Sequence, residues 1–307
     1  MKKTVFIFPG QGAQYIGMGK SFYDEFEICK KIYQKAYEVT GIDVAKLCFE
    51  ENDKLHETKY TQIAIYTMEV AILSALNEVG VKADVVAGLS LGEYSAMYAA
   101  GLFSLEDSFK LVQKRGEYMQ SVSLEDGAMT AVIGLSADTV EDICCEQGAG
   151  VSIANYNCPN QIVITGIKSI VDKTAACCLE NGAKIATPLN VSGAFHSEFM
   201  REAAALLKED LKEMELGKIM IPYVSNVTAE YVTEADKAKE LMISQMYSPV
   251  KWQQSMERLY ADGYEEFVEI GPGKTLAGFM KRINRKIKVK NISTTEDWES
   301  YLKLNIE

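Results

Sequence analysis

The chain of 307 residues is poor in the side chains that usually announce a metal or redox centre. It has two histidines, and its seven cysteines (Cys29, Cys48, Cys144, Cys145, Cys158, Cys177 and Cys178) form no C-x-x-C pair and no Cys/His cluster at ligand spacing. No metal is expected, and the thiols read as buried or indifferent. No run of about 18 uninterrupted apolar residues occurs, which excludes a membrane-spanning helix. The apolar start, Thr4 to Phe8 after Met1-Lys2-Lys3, stops at Pro9-Gly10, too soon for a signal peptide, so the chain reads as cytoplasmic. Basic residues are also in deficit: 32 Lys and Arg against 43 Asp and Glu leave a net charge of -11, which repels nucleic acid and anionic membranes alike. Repeats, low-complexity tracts and long linkers are missing too. What is present is 48% hydrophobic residues, enough to pack one large or two modest domains.

Periodicity predicts a short buried strand over Thr4–Phe8, ending in the loop Pro9-Gly10-Gln11-Gly12-Ala13-Gln14. Ile63, Tyr66, Val70, Leu73 and Leu76 recur at spacings of three and four, an amphipathic helix over Gln62–Val79 that leads into a strand over Asp84–Ala87. From Ala128 the pattern is strand 129–134, helix 137–147, strand 151–156, strand 161–165, helix 168–181, strand 183–189, the βαββαβ order of a ferredoxin-like unit. Helix over Phe195–Met214, an extended stretch over Ile219–Val224, two more helices and a strand over Glu266–Ile270 follow. The expected architecture is an α/β core, residues 1–126 and 191–307, interrupted by a small subdomain, residues 127–190.

Gly88-Leu89-Ser90-Leu91-Gly92 fits G-x-S-x-G with a strand before it and a helical run after it. A sharp strand-to-helix turn exposes a serine only if its neighbours leave room, which is what the glycines supply. Ser90 is therefore the candidate nucleophile, against the plainer reading of a serine cap on a tight turn, and the N–H of Leu91 is placed to stabilise an oxyanion. A serine hydroxyl needs a base. Of the two histidines, His56 sits in a charged, surface-like stretch, whereas His196 lies among small residues in Val191-Ser192-Gly193-Ala194-Phe195-His196-Ser197. His196 is the candidate base.

A helix over Leu105–Val122 has an apolar stripe, Leu105, Phe109, Val112 and Met119, and Arg115 falls on it. A guanidinium aimed inward is costly unless paired, and no acidic neighbour shares its face. It either snorkels, pairs with a remote acid, or waits for a ligand carboxylate.

Taken together these segments resemble the malonyl-CoA:acyl-carrier-protein transacylases of fatty acid synthesis and the acyltransferase domains of polyketide synthases. The likeness runs through Phe8-Pro9-Gly10-Gln11-Gly12, Gly88 to Glu93, Arg115-Gly116 with Met119-Gln120, Asn155 to Gly166, Gly193 to Ser197, Gln245 to Val250 and Glu269 to Lys274. It implies an α/β-hydrolase-like core with a parallel sheet and a ferredoxin-like insert. It also implies roles: Ser90 acylated by malonyl-CoA, His196 as base and then acid, Arg115 on the malonyl carboxylate, and Gln11 with Leu91 as oxyanion donors. Gln245 would orient the histidine through its backbone carbonyl, in place of a triad carboxylate. Met119 and Phe195 would line the substrate pocket, Phe195 filling space that an α-methyl would need. Leu89 departs from the family, which usually has histidine there.

The implied reaction is ping-pong, with the phosphopantetheine thiol of acyl carrier protein as acceptor and no cofactor of the enzyme's own; the oligomeric state is open, a monomer among the options. A serine carboxylic-ester hydrolase shares the elbow and the Ser-before-His order, and a trans-acting polyketide acyltransferase would share everything. The basic run Lys281-Arg282 and Arg285 to Lys290 is a candidate docking face for an acidic carrier, against a plain solvated face. Gly10-Gln11-Gly12-Ala13-Gln14-Tyr15 and Gly273-Lys274-Thr275 are incomplete nucleotide motifs and read as turns. Asn155 to Asn160 reads as a loop, which the resemblance sets beside the substrate cleft.

Overall fold

The computed structural model describes residues 3–122, 126–191 and 193–305; Met1, Lys2 and Ser192, named above, lie outside them. Among the described residues ten strands form two sheets: β1 Thr4–Phe8, β2 Val85–Gly88, β3 Gly127–Ile133, β4 Val151–Cys158, β5 Gln161–Ile167, β6 Ile185–Pro188, β7 Tyr223–Val224, β8 Tyr231–Val232, β9 Glu266–Ile270 and β10 Lys288–Ile292. The larger sheet has the order β10-β9-β1-β2-β7-β8, parallel except for the β7–β8 pair. The smaller is antiparallel, order β4-β5-β3-β6. With the helices Ala137–Gln147 and Lys168–Glu180 this is the expected βαββαβ unit, and the chain has an α/β fold.

β1 is central and buried on both faces, as an interior parallel strand must be. Val5 and Ile7 face a cluster with Trp252, Met256 and Leu276, while Phe6 and Phe8 face the opposite cluster. Through that second cluster runs the helix Thr58–Glu78. It is buried on nearly every side, with Thr61, Gln62, Thr67 and Glu69 inside as well as the apolar residues, and is not the half-exposed helix that its spacing suggested. A helix apolar almost all round belongs inside a core this large.

Two segments depart from expectation. The stretch 195–214 is not one helix: a single turn over Glu198–Met200 precedes a helix over Arg201–Lys212, because His196 takes a left-handed backbone, φ 57°, that no helix accommodates. Within Ile219–Val224 only Tyr223–Val224 is strand. Asn155 to Cys158 extend β4 rather than form a loop, leaving Pro159-Asn160 as the turn.

The carboxyl ends of β1 and β2 lie side by side, and ligands of open α/β sheets bind in the crevice beyond such ends. Close packing there sets the glycines. A Cβ at Gly88 would stand 1.9 Å from the Gly92 carbonyl carbon, and one at Gly92 would stand 2.1 Å from the Phe8 carbonyl oxygen. Nothing flexible can yield. We expect Gly88→Ala and Gly92→Ala each to abolish folded, soluble protein or drop its melting temperature sharply. Gly278→Ala, in the helix Thr275–Ile283 with no atom within 4 Å of the added methyl, should be neutral or stabilising by about 0.4–1 kcal/mol. Thermal melts of the three variants check this, and equal melting points would refute the packing account.

Candidate active site

β2 ends at Gly88, a helix begins at Gly92, and Ser90 sits at the crest between them with φ 54°. A non-glycine residue in that region costs on the order of 1–3 kcal/mol and persists only when its surroundings hold it. Two distant segments do so. The Ser90 N–H donates to Asn226 Oδ1 at 2.7 Å, Asn226 Nδ2 donates to the Gly88 carbonyl at 2.7 Å, and Gln245 Nε2 donates to the Ser90 carbonyl at 2.8 Å.

Ser90 Oγ lies 2.7 Å from His196 Nε2, and His196 Nδ1 lies 2.9 Å from the main-chain oxygen of Gln245. A carbonyl can only accept, so Nδ1 carries the proton and Nε2 is free to take one from the serine. Burial, then the nearby charge of Arg115, hold the His196 imidazole down at about 4, so the ring is a neutral base across the physiological range. The third position of the relay is a backbone carbonyl and not a carboxylate.

Arg115 is 0% exposed. Its Nη1 donates to Gln62 Oε1 at 2.7 Å, and its Nη2 donates to Gln245 Oε1 at 3.0 Å and to Ser90 Oγ at 3.2 Å. The guanidinium lies 4.9 Å from the Tyr94 ring centre, and its buried Nε has no partner among the described residues. Every hydrogen-bond acceptor it has is neutral. Taking such an ion from water costs several kcal/mol, which amide oxygens and a ring offset incompletely. The charge is thus held at the nucleophile with no anion in contact, which leaves aside snorkelling and a directly bonded acid, two of the three readings that the sequence left open, and a carboxylate arriving at Ser90 would meet it.

Gln11, Gln62, Ser90, Arg115, Met119 and Phe195 line a cavity of about 90 Å³ to which Leu89, Leu91 and His196 also contribute. At roughly 10–15 Å³ for each water-sized group it holds a short acyl chain of a few heavy atoms. Gln11 is anchored by its Nε2, which donates to Thr58 Oγ1 at 3.1 Å, and Leu91 stands just before the helix Gly92–Ala99. All eight predicted site residues are therefore gathered at one place. His56, by contrast, is exposed and does not line the cavity.

Three functional neighbours escaped sequence reasoning: Gln62, Glu93 and Asn226. Glu93 is buried, its Oε1 accepting the Asn226 N–H at 3.1 Å and its Oε2 accepting from Gln245 Nε2 at 2.6 Å. Burial pushes its carboxyl up to about 7 against the pull of those bonds. The signal available was a polar side chain on an otherwise apolar helix face.

The basic segment is partly sheet: Ile287 is buried, and Lys290 in β10 bonds Glu266 at 2.6 Å. Lys274, Lys281, Arg282 and Arg285 instead line an open groove of about 670 Å³. That groove shares Gln161, Thr275 and Phe279 with a second one, which shares Gln11, Leu89 and Asn155 with the Ser90 cavity.

Residues 5–297 match the family model described as an acyl transferase domain. The chain is 43% identical over 304 residues to the malonyl CoA-acyl carrier protein transacylase of Bacillus subtilis (strain 168), covering 97% of this chain and 96% of that protein. Among solved structures, the malonyl CoA-acyl carrier protein transacylase of Clostridium perfringens superposes with a TM-score of 0.94 at 40% identity, covering 98% of this chain and 96% of that one. A malonyl-transacylase solved in complex with a type II polyketide acyl-carrier protein superposes at 0.96 with 34% identity, covering 99% and 100%. With this likeness over nearly its whole length, on a Ser-His site that can carry an acyl group, the chain is an acyltransferase and belongs to the malonyl CoA-acyl carrier protein transacylase family.

Proposed function

We propose that the protein moves a malonyl group from malonyl-CoA to the phosphopantetheine thiol of an acyl carrier protein through a malonyl-Ser90 intermediate. One observation carries the choice of acyl group: a buried guanidinium with no anion bonded to it, donating to the nucleophile's own oxygen. The names of the relatives and the solved carrier complex support the substrate pair.

In the first half-reaction Ser90 gives its proton to His196 Nε2 while Oγ attacks the thioester carbonyl. The oxyanion forms beside the backbone N–H groups of Leu91 and Gln11; one such donor is typically worth about 2.7–4 kcal/mol. The carbon–sulfur bond then breaks, and the imidazolium returns the proton to the departing coenzyme A thiol. In the second half-reaction the carrier thiol gives its proton to His196, its sulfur attacks the acyl carbon, and Ser90 leaves with the proton. Arg115 grips the distal carboxylate throughout, in the two-point manner that a guanidinium allows. Phe195 and Met119 close the cavity around a short, unbranched acyl group.

The same proposal takes the protein as a cytoplasmic monomer with no cofactor of its own, divided into a core of residues 1–126 and 191–307 and a small subdomain of residues 127–190. The string of grooves from Ser90 to Lys281 and Arg285 offers the pantetheine arm a path and the anionic carrier a landing place.

Intact-mass analysis should show a malonyl adduct on the native protein and none on Ser90→Ala; Arg115→Ala should lose malonyl labelling and gain in acetyl relative to malonyl. Rapid release of malonate without acceptor would instead favour a hydrolase. Because the neutral imidazole persists down to about 4, labelling of Ser90 by a fluorophosphonate should continue well below pH 6 and fall only as pH drops toward that value. An acid limb near the usual 6.5 would contradict the buried, desolvated histidine. Lys281→Glu with Arg285→Glu should raise the KM for carrier protein and leave malonyl-serine formation unchanged, and steady-state kinetics with equal KM would remove the landing face.

A further inference from the structure

We propose that Glu93 is a positioning residue that decides which end of the Gln245 amide faces Arg115, and so tunes the preference for an acyl group bearing a carboxylate. The inference rests on the transacylase reading above.

An amide has one accepting end and one donating end, and only the network around it fixes which is which. Gln245 spends its donors on the Ser90 carbonyl at 2.8 Å and on Glu93 Oε2 at 2.6 Å. Its oxygen is thereby left for Arg115 Nη2 at 3.0 Å. The other oxygen of Glu93 accepts the Asn226 N–H at 3.1 Å, so both of its neighbours are donors. A carboxylate satisfies both; an amide at position 93 sets one donor against another, and a protonated carboxyl brings a hydrogen for which neither of these neighbours offers an acceptor. With a glutamine there, relief comes from turning the Gln245 amide, which would point N–H groups at the guanidinium and release it from its place over Ser90.

Glu93 is also the nearest acid in the hydrogen-bonded network of Arg115, one amide away. It balances the buried cation without touching it. A directly bonded carboxylate would compete with the substrate for the guanidinium, whereas one set behind an amide leaves the substrate-facing side open. The ionisable groups that face Glu93 are Arg115 from the helix Leu105–Ser121, Tyr94 on its own helix and Tyr223 of β7, with His196 beyond Gln245. Burial raises the Tyr94 hydroxyl to about 12 and that of Tyr223 well above its usual range, and His196 sits at about 4. Glu93, at about 7, is then the member of this set that changes charge near neutrality. It is ionised above that value and protonated below it.

The test compares malonyl-CoA with acetyl-CoA as acyl donors to Ser90 at about pH 8, in the native protein and in Glu93→Gln, with fluorophosphonate labelling as a measure of the Ser-His pair that needs no carboxylate. The malonyl-to-acetyl ratio should fall at least about tenfold in the variant, the factor that a lost hydrogen bond to a charged group commands; turning the Gln245 amide also costs the Ser90 carbonyl its donor, so labelling and acetyl loading fall together, and by less than malonyl loading. Equal losses with both donors would mean a structural role only and would overturn the inference. If the variant does not fold, the native protein decides: its ratio should decline as pH falls through about 7, since titration of the coenzyme is common to both donors and cancels. A flat ratio would overturn the inference too. Failure of the native protein to form any malonyl adduct would sink the transacylase reading itself, a different and separately visible result.

Discussion

A guanidinium buried with no anion in contact is the constraint around which the rest of this site is arranged. Arg115 lies at zero exposure with only neutral acceptors: two glutamine side chains, a serine hydroxyl and a tyrosine ring. Removing such an ion from water is a cost that the fold bears because large, well-packed elements surround it, among them the fully embedded helix that carries Gln62. The same positive charge helps hold the imidazole unprotonated and favours a developing alkoxide at Ser90. In the proposed reaction, recognition and activation therefore come from one cation rather than two separate devices.

Position follows from topology. The carboxyl ends of β1 and β2 bring Gln11 and Ser90 together, the loop after β7 brings Asn226, and the last residue of the helix Ala235–Gln245 brings both a carbonyl and an amide. The small sheet is stitched to the core beside this point: Tyr156 N–H donates to the Val250 carbonyl at 2.9 Å, and Val250 N–H donates to the Ala154 carbonyl at 2.7 Å. Asn155 thereby reaches the cavity from the far side. The hydrogen bonds that hold Ser90, His196 and Gln245 all run between different elements, as buried polar networks require.

Much of this was legible in the residues. The serine elbow announced its strand and helix because the glycines have a local steric reason, and the small sheet announced itself because its strands and helices have clean periods. Arg115 stood out because a charge on an apolar stripe is a local contradiction. The segment around His196 was misread as helix, since its short run of small and apolar residues does not disclose a left-handed turn. Glu93 looked like an ordinary acid in the first turn of a helix, where it suits the macrodipole. Its partners, Asn226 and Gln245, are 133 and 152 residues away, a distance that no local pattern spans. β10 hid for another reason: alternating lysines read as a charge run, whereas Val289 between them packs on the cluster that holds Val5 and Ile7.

The helix Ala235–Gln245 ends at the residue whose carbonyl receives the histidine proton. Aligned peptide dipoles leave about half a negative charge at such an end, worth about 0.3–2 kcal/mol to a cation placed there. Imidazolium is thus steadied for the instant it exists, by a fraction of what a full carboxylate would exert. A proton held this loosely is handed on readily, which suits the part proposed for His196, a base that becomes an acid in each half-reaction.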